Sequence, residues 1–433
     1  MATAPGTEPN DTIDARSKPP FLRRVRIRGY KSIAFCDVTL EPLTILVGRN
    51  ASGKSNFLDA LAFLDSLMNL NIAEAIKRHG GLSSIACRSA QATEIEFVLE
   101  AEIPNRAPNL PPTSVVEYRL TLGLTDKENI EITNEELITT GGTELKPIAP
   151  SRAELHRVLL KAFKGDVQHT QDYLDSMYPT DFALAGSKRA GWSDTGFQQL
   201  LKSIGVYNFH PGVMRAPHTH FQNKLLEKSG RNLPDILRRI DNLVPNSGRR
   251  VRAYLSKITE QIVDVHPEAI NEYETLRFSV KTSIGHPPLD FPAGSMSDGT
   301  LRVLAALVAV YQITPSGSAP SLVAIEEPET SLHPAAMRAL VDALDEATLR
   351  TQILLTTHSA EMLDNPTIKP ENIRVVQMID GQTVIAPVDE ASVEIVHRKL
   401  NTLGGLERDN LLEPDIDDLE RQKRLGQVPE LPT

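Results

Sequence analysis

The fold of this chain is decided by the stretch Gly48-Arg49-Asn50-Ala51-Ser52-Gly53-Lys54-Ser55, which follows the apolar run Leu43–Val47 and precedes the helical pattern Asn56–Leu61. A strand, a glycine-bracketed loop, Lys-Ser and a helix form the context in which the pattern G-x-x-x-x-G-K-[ST] binds phosphate. Backbone N–H groups of such a loop and the helix dipole converge on one anion. Lys54 would reach the β- and γ-phosphates, and the Ser55 hydroxyl would ligate Mg²⁺. We therefore expect residues 48–56 to bind a nucleoside triphosphate, the alternative being a chance glycine loop.

Composition narrows the class of protein. The 433 residues predict two or three domains, or one domain with large inserts. Apolar and charged fractions of 40% and 24% are typical of a soluble protein, and no stretch has the ~18 apolar residues of a membrane span. Cys36 and Cys87 are too few for a disulfide framework, so we expect a cytoplasmic protein. A net charge of −10 argues against indiscriminate nucleic-acid binding but leaves room for a local basic patch.

The first part of the chain alternates between apolar and polar residues. In Phe21–Gly29, Val25 and Ile27 lie opposite three arginines, Arg24, Arg26 and Arg28. This pattern predicts a half-buried strand, either an edge strand protected by charge or a contact for DNA phosphates. From Glu94 to Lys146 the period of two predicts an antiparallel meander of three or four strands.

The middle of the chain is predicted to be mostly helical. The helix candidates are Ala153–Phe163, Thr195–Ile204, Phe221–Glu227, Leu233–Leu243 and Arg250–Val263, with Val206–Pro211 as a short extended interruption. Five arginines gather here: Arg238, Arg239, Arg249, Arg250 and Arg252. A solvated helix face and a nucleic-acid surface are the two interpretations.

Apolar runs return at Leu276–Val280, Ser321–Ile325 and Gln352–Leu355, with a helix predicted at Pro334–Thr348. Apolar runs separated by helices are typical of parallel strands buried on both faces. We therefore expect an α/β protein whose nucleotide-binding core is divided by an insert. The predicted segments are a disordered leader (1–20), the first part of the core (21–93), an antiparallel β subdomain (94–150), a helical insert (151–270), the second part of the core (271–400) and a polar tail (401–433).

Two adjacent acids, Glu326 and Glu327, end the buried strand that begins at Ser321. Burying carboxylates is costly unless a cation lies beside them. We expect Glu326 to hold Mg²⁺ and Glu327 to activate water. The alternative is a turn of exposed acids before Pro328.

Two further stretches lie beside predicted elements of the core. His358 ends the next apolar strand; it is either a core histidine or a donor to the γ-phosphate. Ser297-Asp298-Gly299 precedes a helix, where it is either an ordinary N-cap or an anion-binding loop.

Taken together, these motifs resemble the ABC-type ATPase heads of the RecF, SMC and OLD group, often catalogued as AAA-type ATP-binding proteins. GRNASGKSN is similar to their Walker A motif, SDGTLR to their signature loop, AIEEPETSLHP to their Walker B motif with D-loop, and TTHS to their switch histidine. The resemblance covers Phe21–Gly81 and Ala293 to about Asp389. It implies a P-loop, ABC-ATPase-like mixed sheet with helices on its faces, to which the residue patterns add the antiparallel meander and the helical insert.

The resemblance also implies a homodimer formed on ATP binding. ATP with Mg²⁺ would lie between the Walker A loop of one copy and Ser297–Gly299 of the other, with Glu327 polarising water and His358 reporting the γ-phosphate. Three departures stand out. Glu326 replaces the usual Asp of Walker B, and Asp298 stands where many relatives have Gly or Glu. A Q-loop glutamine is not evident, and Arg88–Gln91 is the stretch in which to look for it.

The insert is too short for the long coiled coil of SMC proteins, and the sequence after His358 is too short for the TOPRIM domain of OLD nucleases. Asp415-Ile416-Asp417-Asp418 resembles a metal-binding acid pair, but we expect a solvated tail there. We therefore expect an ATPase that drives a separate effector, such as a nuclease of a prokaryotic defence system, without a membrane partner. The alternatives are a RecF-like repair ATPase that clamps DNA, a nucleotide sensor with little turnover and, more weakly, a transporter subunit.

Overall fold

The structure is a computed structural model that describes residues 19–105, 111–124, 130–140, 161, 166, 196–220, 225–282, 286–314 and 317–427. The predicted leader and the helix candidate Ala153–Phe163 lie almost wholly outside these residues, as does the first half of Phe221–Glu227. The strands are β1 (Phe21–Tyr30), β2 (Ile33–Thr39), β3 (Leu43–Val47), β4 (Glu94–Pro104), β5 (Thr113–Leu124), β6 (Ile130–Thr140), β7 (Ile204–Tyr207), β8 (His218–Thr219), β9 (Ile262–Ile270), β10 (Tyr273–Val280), β11 (Leu289–Pro292), β12 (Leu322–Glu326), β13 (Gln352–Thr357), β14 (Ile373–Ile379) and β15 (Gln382–Pro387).

The helices cover the faces of the sheets and connect their strands. They are α1 (Lys54–Asn69), α2 (Ile72–Arg78), α3 (Leu82–Ile85), α4 (Gly196–Leu201), α5 (Pro211–Arg215), α6 (Leu233–Leu243), α7 (Pro245–Ile258), α8 (Asp298–Tyr311), α9 (Pro334–Ala347), α10 (Ala360–Leu363), α11 (Glu390–His397), α12 (Leu403–Arg408) and α13 (Ile416–Gln427). Among the described residues no helix exceeds the 16 residues of α1, which leaves no coiled coil in that part of the chain. Nor does any helix of the described ranges have the length and apolarity to cross a membrane.

A six-stranded sheet, ordered β15-β14-β3-β13-β12-β7, forms the core that carries the glycine-rich loop of residues 48–55. Its strands are parallel from β14 to β7, and β15 pairs antiparallel with β14. All five residues of β3 and all six of β13 are buried. Helices cover both faces, so these strands have apolar runs without alternation. The predicted mixed sheet with helices on its faces is confirmed.

The meander of β4, β5 and β6 continues into β1 and β2 as one five-stranded antiparallel sheet, ordered β2-β1-β4-β5-β6. The edge-strand interpretation of β1 is therefore wrong, because β1 lies between β2 and β4. Arg24, Arg26 and Arg28 are half-buried on one face of the strand and paired: Arg24 donates to Asp37 at 2.6 Å, and Arg28 donates to Glu96 at 3.2 Å. Cross-strand ion pairs account for the arginine stripe.

Strands β8, β9, β10 and β11 form a third, antiparallel sheet. Two expectations are corrected here. The run Leu276–Val280 belongs to β10 of this sheet and not to the parallel core, because its alternation of buried and half-buried residues suits a sheet covered on one face. The stretch predicted as an interruption of a helical insert, around Val206, is β7 and pairs with β12 in the core sheet.

The C-terminal segment is also more ordered than a solvated tail. Helix α13 packs on β2 and β15, and Gln422 is 4% exposed. Arg421 donates to Asp37 at 2.8 Å and to Asp418 at 2.6 Å. The acids at the start of α13 therefore cap the helix and pair with Arg421. One face of this polar helix carries the residues that contact β2 and β15.

Candidate functional site

The loop between β3 and α1 lies at the carboxyl edge of the core sheet, the edge at which parallel sheets of this type bind ligands. Gly53 has a φ of 103°, and a Cβ atom there would lie 1.9 Å from Oγ1 of Thr383. Thr383 belongs to β15 and donates to the carbonyl of Ser52 at 3.0 Å. Only glycine allows the loop to pass this close to β15.

Lys54 is folded back into the loop. Its ammonium group donates to the carbonyls of Gly48 at 2.6 Å and Arg49 at 3.0 Å, and the residue is 6% exposed. Burial lowers the pKa of Lys54, and the negative charges of Glu327 and Glu407 oppose that shift. A buried ammonium beside curled backbone is a cation placed for an anionic ligand.

Ser55 and Glu326 meet at the end of β12, with Oγ of Ser55 donating to Oε2 of Glu326 at 3.0 Å. The amide of Asn208 donates to the same carboxylate oxygen at 3.2 Å. Asn208 directly follows β7, and β7 and β12 are parallel neighbours, so their carboxyl ends meet at one edge. The hydroxyl and the carboxylate supply hard oxygen ligands that suit Mg²⁺, and the amide N–H of Asn208 orients the carboxylate.

Glu327 adopts a φ of 42°, a strained backbone for a residue with a side chain. Its N–H donates to the carbonyl of Thr356 at 3.1 Å. Oε1 of Glu327 lies 3.2 Å from Nδ1 of His358, and the two side chains are 36% and 49% exposed. Glu327 and His358 are therefore in contact at the surface of the site, and His358 is not a buried core histidine.

Glu329 is a buried acid that sequence reasoning missed. It is 5% exposed, and Thr357 donates a hydrogen bond to its Oε1. Thr357 in turn accepts the N–H of Ser359 at 2.9 Å, so Glu329 connects the turn after β12 to the loop after β13. Burial raises the pKa of Glu329, and the Thr357 hydrogen bond opposes that shift. The only sequence signal is its place in AIEEPET, three residues after Glu326.

The other residues of the P-loop either contact neighbouring segments or are exposed to solvent. Asn56 donates to the hydroxyl of Ser32 at 2.6 Å, while Asn50 and Ala51 are exposed. Arg49 donates to Asn410 at 2.8 Å. With the C-terminal residues 407–413 and β14, the loop lines a cavity of about 430 Å³. Sequence reasoning missed this wall because the C-terminal segment was expected to be solvated.

The stretch Ser297–Gly299 begins α8 as an N-cap, with Oγ of Ser297 accepting the N–H of Thr300 at 3.1 Å. Asp298 forms an ion pair with Arg215 of α5. A Cβ atom on Gly299 would lie 2.5 Å from the carbonyl of Ser331, so α8 begins against the turn that follows Glu329. Ser297 lines a different cavity, of about 690 Å³, whose lining residues include none from the P-loop.

The region Arg88–Gln91, the stretch in which to look for a Q-loop glutamine, forms a turn in which Arg88 donates to the carbonyl of Ser83 at 2.9 Å and 3.1 Å. The amide that reaches Glu326 is Asn208 instead. The sequence signal for Asn208 is its place after a short apolar run, Ile204–Tyr207, within a segment that otherwise predicts helices.

The residues present fit a triphosphate with Mg²⁺. Oγ of Ser52 is buried without a hydrogen-bond partner among the described residues, so a phosphate oxygen bound in the loop could accept its hydrogen bond. Lys54 supplies a cation, and Ser55 and Glu326 supply hard oxygen atoms. This fold and this site define a P-loop nucleotide-binding protein of the ABC type.

Comparison with known proteins agrees with that class. The chain belongs to the family described as "AAA domain, putative AbiEii toxin, Type IV TA system", whose model matches residues 43–364. It resembles the DNA replication and repair protein RecF of Arthrobacter sp. (strain FB24), with 24% identity over 48% of this chain and 51% of that protein. RecF of Paenarthrobacter aurescens (strain TC1) is 23% identical over 55% of this chain and 59% of its own length. The chain thus spans little more than half the length of these relatives.

Among solved structures, the SMC head bound to the C-winged helix domain of ScpA has a TM-score of 0.49 and 15% identity, covering 86% of this chain and 99% of that one. The SMC head domain from Thermotoga maritima has a TM-score of 0.41 and 14% identity, covering 85% and 99%. The predicted membership in the ABC-type ATPases of the RecF and SMC group is confirmed by the family and the RecF relatives.

Proposed function

We propose that this protein hydrolyses ATP in a head-to-head homodimer and that the resulting opening and closing controls a separate effector. The observation that carries the proposal is the meeting of Ser55, Glu326 and Asn208 within hydrogen-bond distance at the sheet edge, next to Glu327 and His358. Each of these groups has a role in phosphoryl transfer to water.

In this mechanism Lys54 and the loop N–H groups bind the phosphates. Ser55 and Glu326 would hold Mg²⁺, which when bound would supply neutralising charge for the phosphate oxygens. Glu327 accepts a proton from water as the water oxygen bonds to the γ-phosphorus and the bond to the bridging β,γ-oxygen breaks. Asn208 orients the Glu326 carboxylate, and His358 donates to the γ-phosphate and thereby senses its presence.

The second copy completes the site through Ser297–Gly299. Within one chain, this exposed helix N-terminus and the P-loop line separate cavities. A helix N-terminus with a serine hydroxyl is a good site for phosphate oxygens. A two-fold dimer would bring each Ser297 to the P-loop of its twin, so that two ATP molecules lie in one interface.

Mixing two variants tests this arrangement. Lys54→Ala removes the cation of the P-loop, and Ser297→Arg obstructs the signature loop, so each homodimer should be inactive. In an equal mixture, heterodimers carry one intact site, and we expect roughly a quarter of the wild-type hydrolysis rate to return. A mixture that remains inactive while forming heterodimers would contradict the composite site.

The effector is proposed from the family. Its description names a toxin of a toxin–antitoxin system, and the RecF relatives are named for DNA replication and repair. These names support a toxin–antitoxin or DNA-repair setting, and we propose a separate effector, such as a nuclease of a prokaryotic defence system, as the partner in that setting. Purifying Glu327→Gln from its host with ATP, and identifying the proteins that co-elute, tests this step. The double variant Glu327→Gln/Ser297→Arg is the matched control, and an identical set of proteins from both would contradict an effector that depends on the closed dimer.

A direct DNA clamp is the second candidate, favoured by the names of the RecF relatives. The arginines of α7 weigh against it, because Arg250 pairs with Glu346 and Arg252 with Asp241. Arg249 is exposed and donates to Asn246. A clamp would bind DNA with steep salt dependence, lost in Arg249→Ala/Arg250→Ala. We expect instead no change in DNA retention at physiological salt.

A nucleotide sensor with little turnover is distinguished by Glu327→Gln. An ATPase should lose hydrolysis in this variant and accumulate as an ATP-bound dimer. A sensor would behave like the wild type in both respects.

A further inference from the structure

We propose that His220, Asp235 and Glu274 form a binding site for one divalent transition-metal ion, separate from the nucleotide site. One potential ligand atom from each residue lies within 4.8 Å of those from the other two. His220 directly follows β8, Asp235 lies in the first turn of α6, and Glu274 lies on β10. A bound ion would therefore join two strands of the third sheet, β8 and β10, to helix α6, which packs on that sheet.

The two acids of this site are poorly solvated. The side chains of Asp235 and Glu274 are 5% and 12% exposed. Carboxylates removed from water require nearby cations or several hydrogen bonds. Glu274 is paired with Arg238, and the charge of Asp235 acts on the nearby Arg239. A divalent ion between the two acids would add positive charge to both carboxylates at once.

Two histidines arrange the Asp235 carboxylate. Nε2 of His218 lies 2.8 Å from Oδ2 of Asp235, and Nδ1 of His220 lies 2.6 Å from Oδ1. His218 is buried, whereas the side chain of His220 is 61% exposed. His218 thus fixes the carboxylate from inside the fold, and His220 reaches it from solvent. Metal ligands are commonly oriented by an outer hydrogen bond of this kind.

The pairing of β8 with β10 places the third ligand. His218 is directly opposite Glu274 in the antiparallel register, and Thr219 is opposite Tyr273. The site is thus built on paired strands and one helix turn. Ligand atoms in a tetrahedral complex lie roughly 3.3–3.6 Å apart when metal–ligand bonds are about 2.0–2.2 Å. Binding requires a small inward movement, for which the exposed His220 side chain has room.

The ligand set indicates the class of metal. One imidazole nitrogen and two carboxylate oxygens suit Zn²⁺, Mn²⁺, Fe²⁺ or Co²⁺. Mg²⁺ prefers oxygen atoms alone and keeps its waters, and Cu⁺ prefers sulfur. Arg238 competes for Glu274, and binding must displace it or share that carboxylate.

The proposed metal site adjoins the segment from β7 to β8, which contacts both halves of the nucleotide site. Helix α5, just before β8, carries Arg215, which pairs with Asp298 and donates to the carbonyl of Met296 at 2.8 Å. Strand β7 precedes α5 and ends just before Asn208, which donates to Glu326 in the nucleotide site. An ion that fixes β8 on α6 and β10 would therefore stabilise the segment between the two halves of the nucleotide site.

Metal binding is tested on the full chain without nucleotide, so that the outcome does not depend on hydrolysis. Chelator-treated protein is titrated with Zn²⁺ and with Mn²⁺ by calorimetry, and its thermal unfolding is followed with each ion and with Mg²⁺ alone. We expect one Zn²⁺ or Mn²⁺ per chain and a higher unfolding temperature. Mg²⁺ alone should leave the unfolding temperature nearly unchanged.

His220→Ala removes an exposed ligand and should weaken binding at least tenfold, abolishing the thermal shift. Exposed His397 on α11 provides the matched control, and His397→Ala should bind like the wild type. Arg238→Met removes the competing cation and should strengthen binding. The proposal is overturned if the wild type takes up no stoichiometric ion, or if His220→Ala binds as tightly as the wild type.

Discussion

The P-loop half and the signature half of the candidate site differ in how their polar groups are bonded within one chain. On the P-loop side, Lys54 is bonded to loop carbonyls, and Ser55 and Asn208 both donate to Glu326. On the signature side, the only partner of the Ser297 hydroxyl among the described residues is Thr300, one turn away, and the side chain of Asp298, which pairs with Arg215, is 54% exposed. The first half is organised inside the fold, whereas the second is presented on a surface. Two halves of this kind are what a site completed by a second copy would need.

The largest effect is expected at the P-loop half. Glu327→Gln keeps the shape of the side chain but removes the base, so kcat should fall roughly 10²–10⁴-fold. ATP binding should persist, because Lys54 and the loop are intact. Phosphate release measures hydrolysis, and light scattering with ATP detects the ATP-bound dimer. Wild-type turnover in this variant would contradict Glu327 as the base.

Ser297→Arg alters the signature half alone. We expect hydrolysis to fall about 10²-fold, as for the loss of a donor at a developing charge, while ATP affinity of the isolated chain stays within about twofold. Equilibrium binding of a fluorescent ATP analogue at low protein concentration measures the second quantity. A strong loss of affinity there would show that Ser297 acts within its own chain.

Asn208→Ala tests how far the organisation of the P-loop half matters. Removing the donor to Glu326 should weaken Mg²⁺-dependent activity about 10–100-fold, as observed for partners of metal ligands. Raising the Mg²⁺ concentration should recover part of the loss. Asn242→Ala, at an exposed position of α6, is the control and should leave activity unchanged.

The smallest effect concerns Glu329 and the pH dependence of stability. Burial raises the pKa of Glu329 above its ordinary value of 4.5, so the folded state holds this proton more tightly than the unfolded state. Its contribution to stability is present below pH 4.5 and is lost as the pH rises through the folded pKa. Glu329→Gln avoids that loss and should unfold roughly 2 °C higher than the wild type at pH 8.

That difference should shrink as the pH falls towards 4.5, and calorimetry at several pH values measures it. Glu272→Gln, in an exposed turn, is the control and should show no such trend. A constant difference across the pH range would mean that Glu329 does not titrate in this way.

The P-loop residues and the paired acids of the candidate site could be predicted from local sequence. Gly53, Lys54 and Ser55 follow a buried strand and precede a helix, and their spacing is dictated by how backbone curls around an anion. The acids Glu326 and Glu327 could be placed because a buried strand rarely ends in paired charges without a cation. The structure brings Ser55, Glu326 and His358 to the same sheet edge as expected.

Pairings between distant segments were not predictable in this way. Asn208 lies in a four-residue strand whose apolar run also suits a helix, and only its parallel pairing with β12 brings it to Glu326. The arginines of β1 suggested an edge strand because alternation predicts a polar face. Alternation does not predict which strands pair with β1 on either side. Helix α13 looked solvated because a polar helix that packs through a few residues has little apolar periodicity.

The sequence by itself determined the P-loop, the paired acids and the order of strands and helices around them, because those features depend on spacing along a few turns or one strand. Only the tertiary structure decided that β1 is central, that Asn208 and Glu329 reach the site, and that His220, Asp235 and Glu274 come together. Those outcomes depend on which strands pair and in what register, and they join residues that lie tens to hundreds of positions apart.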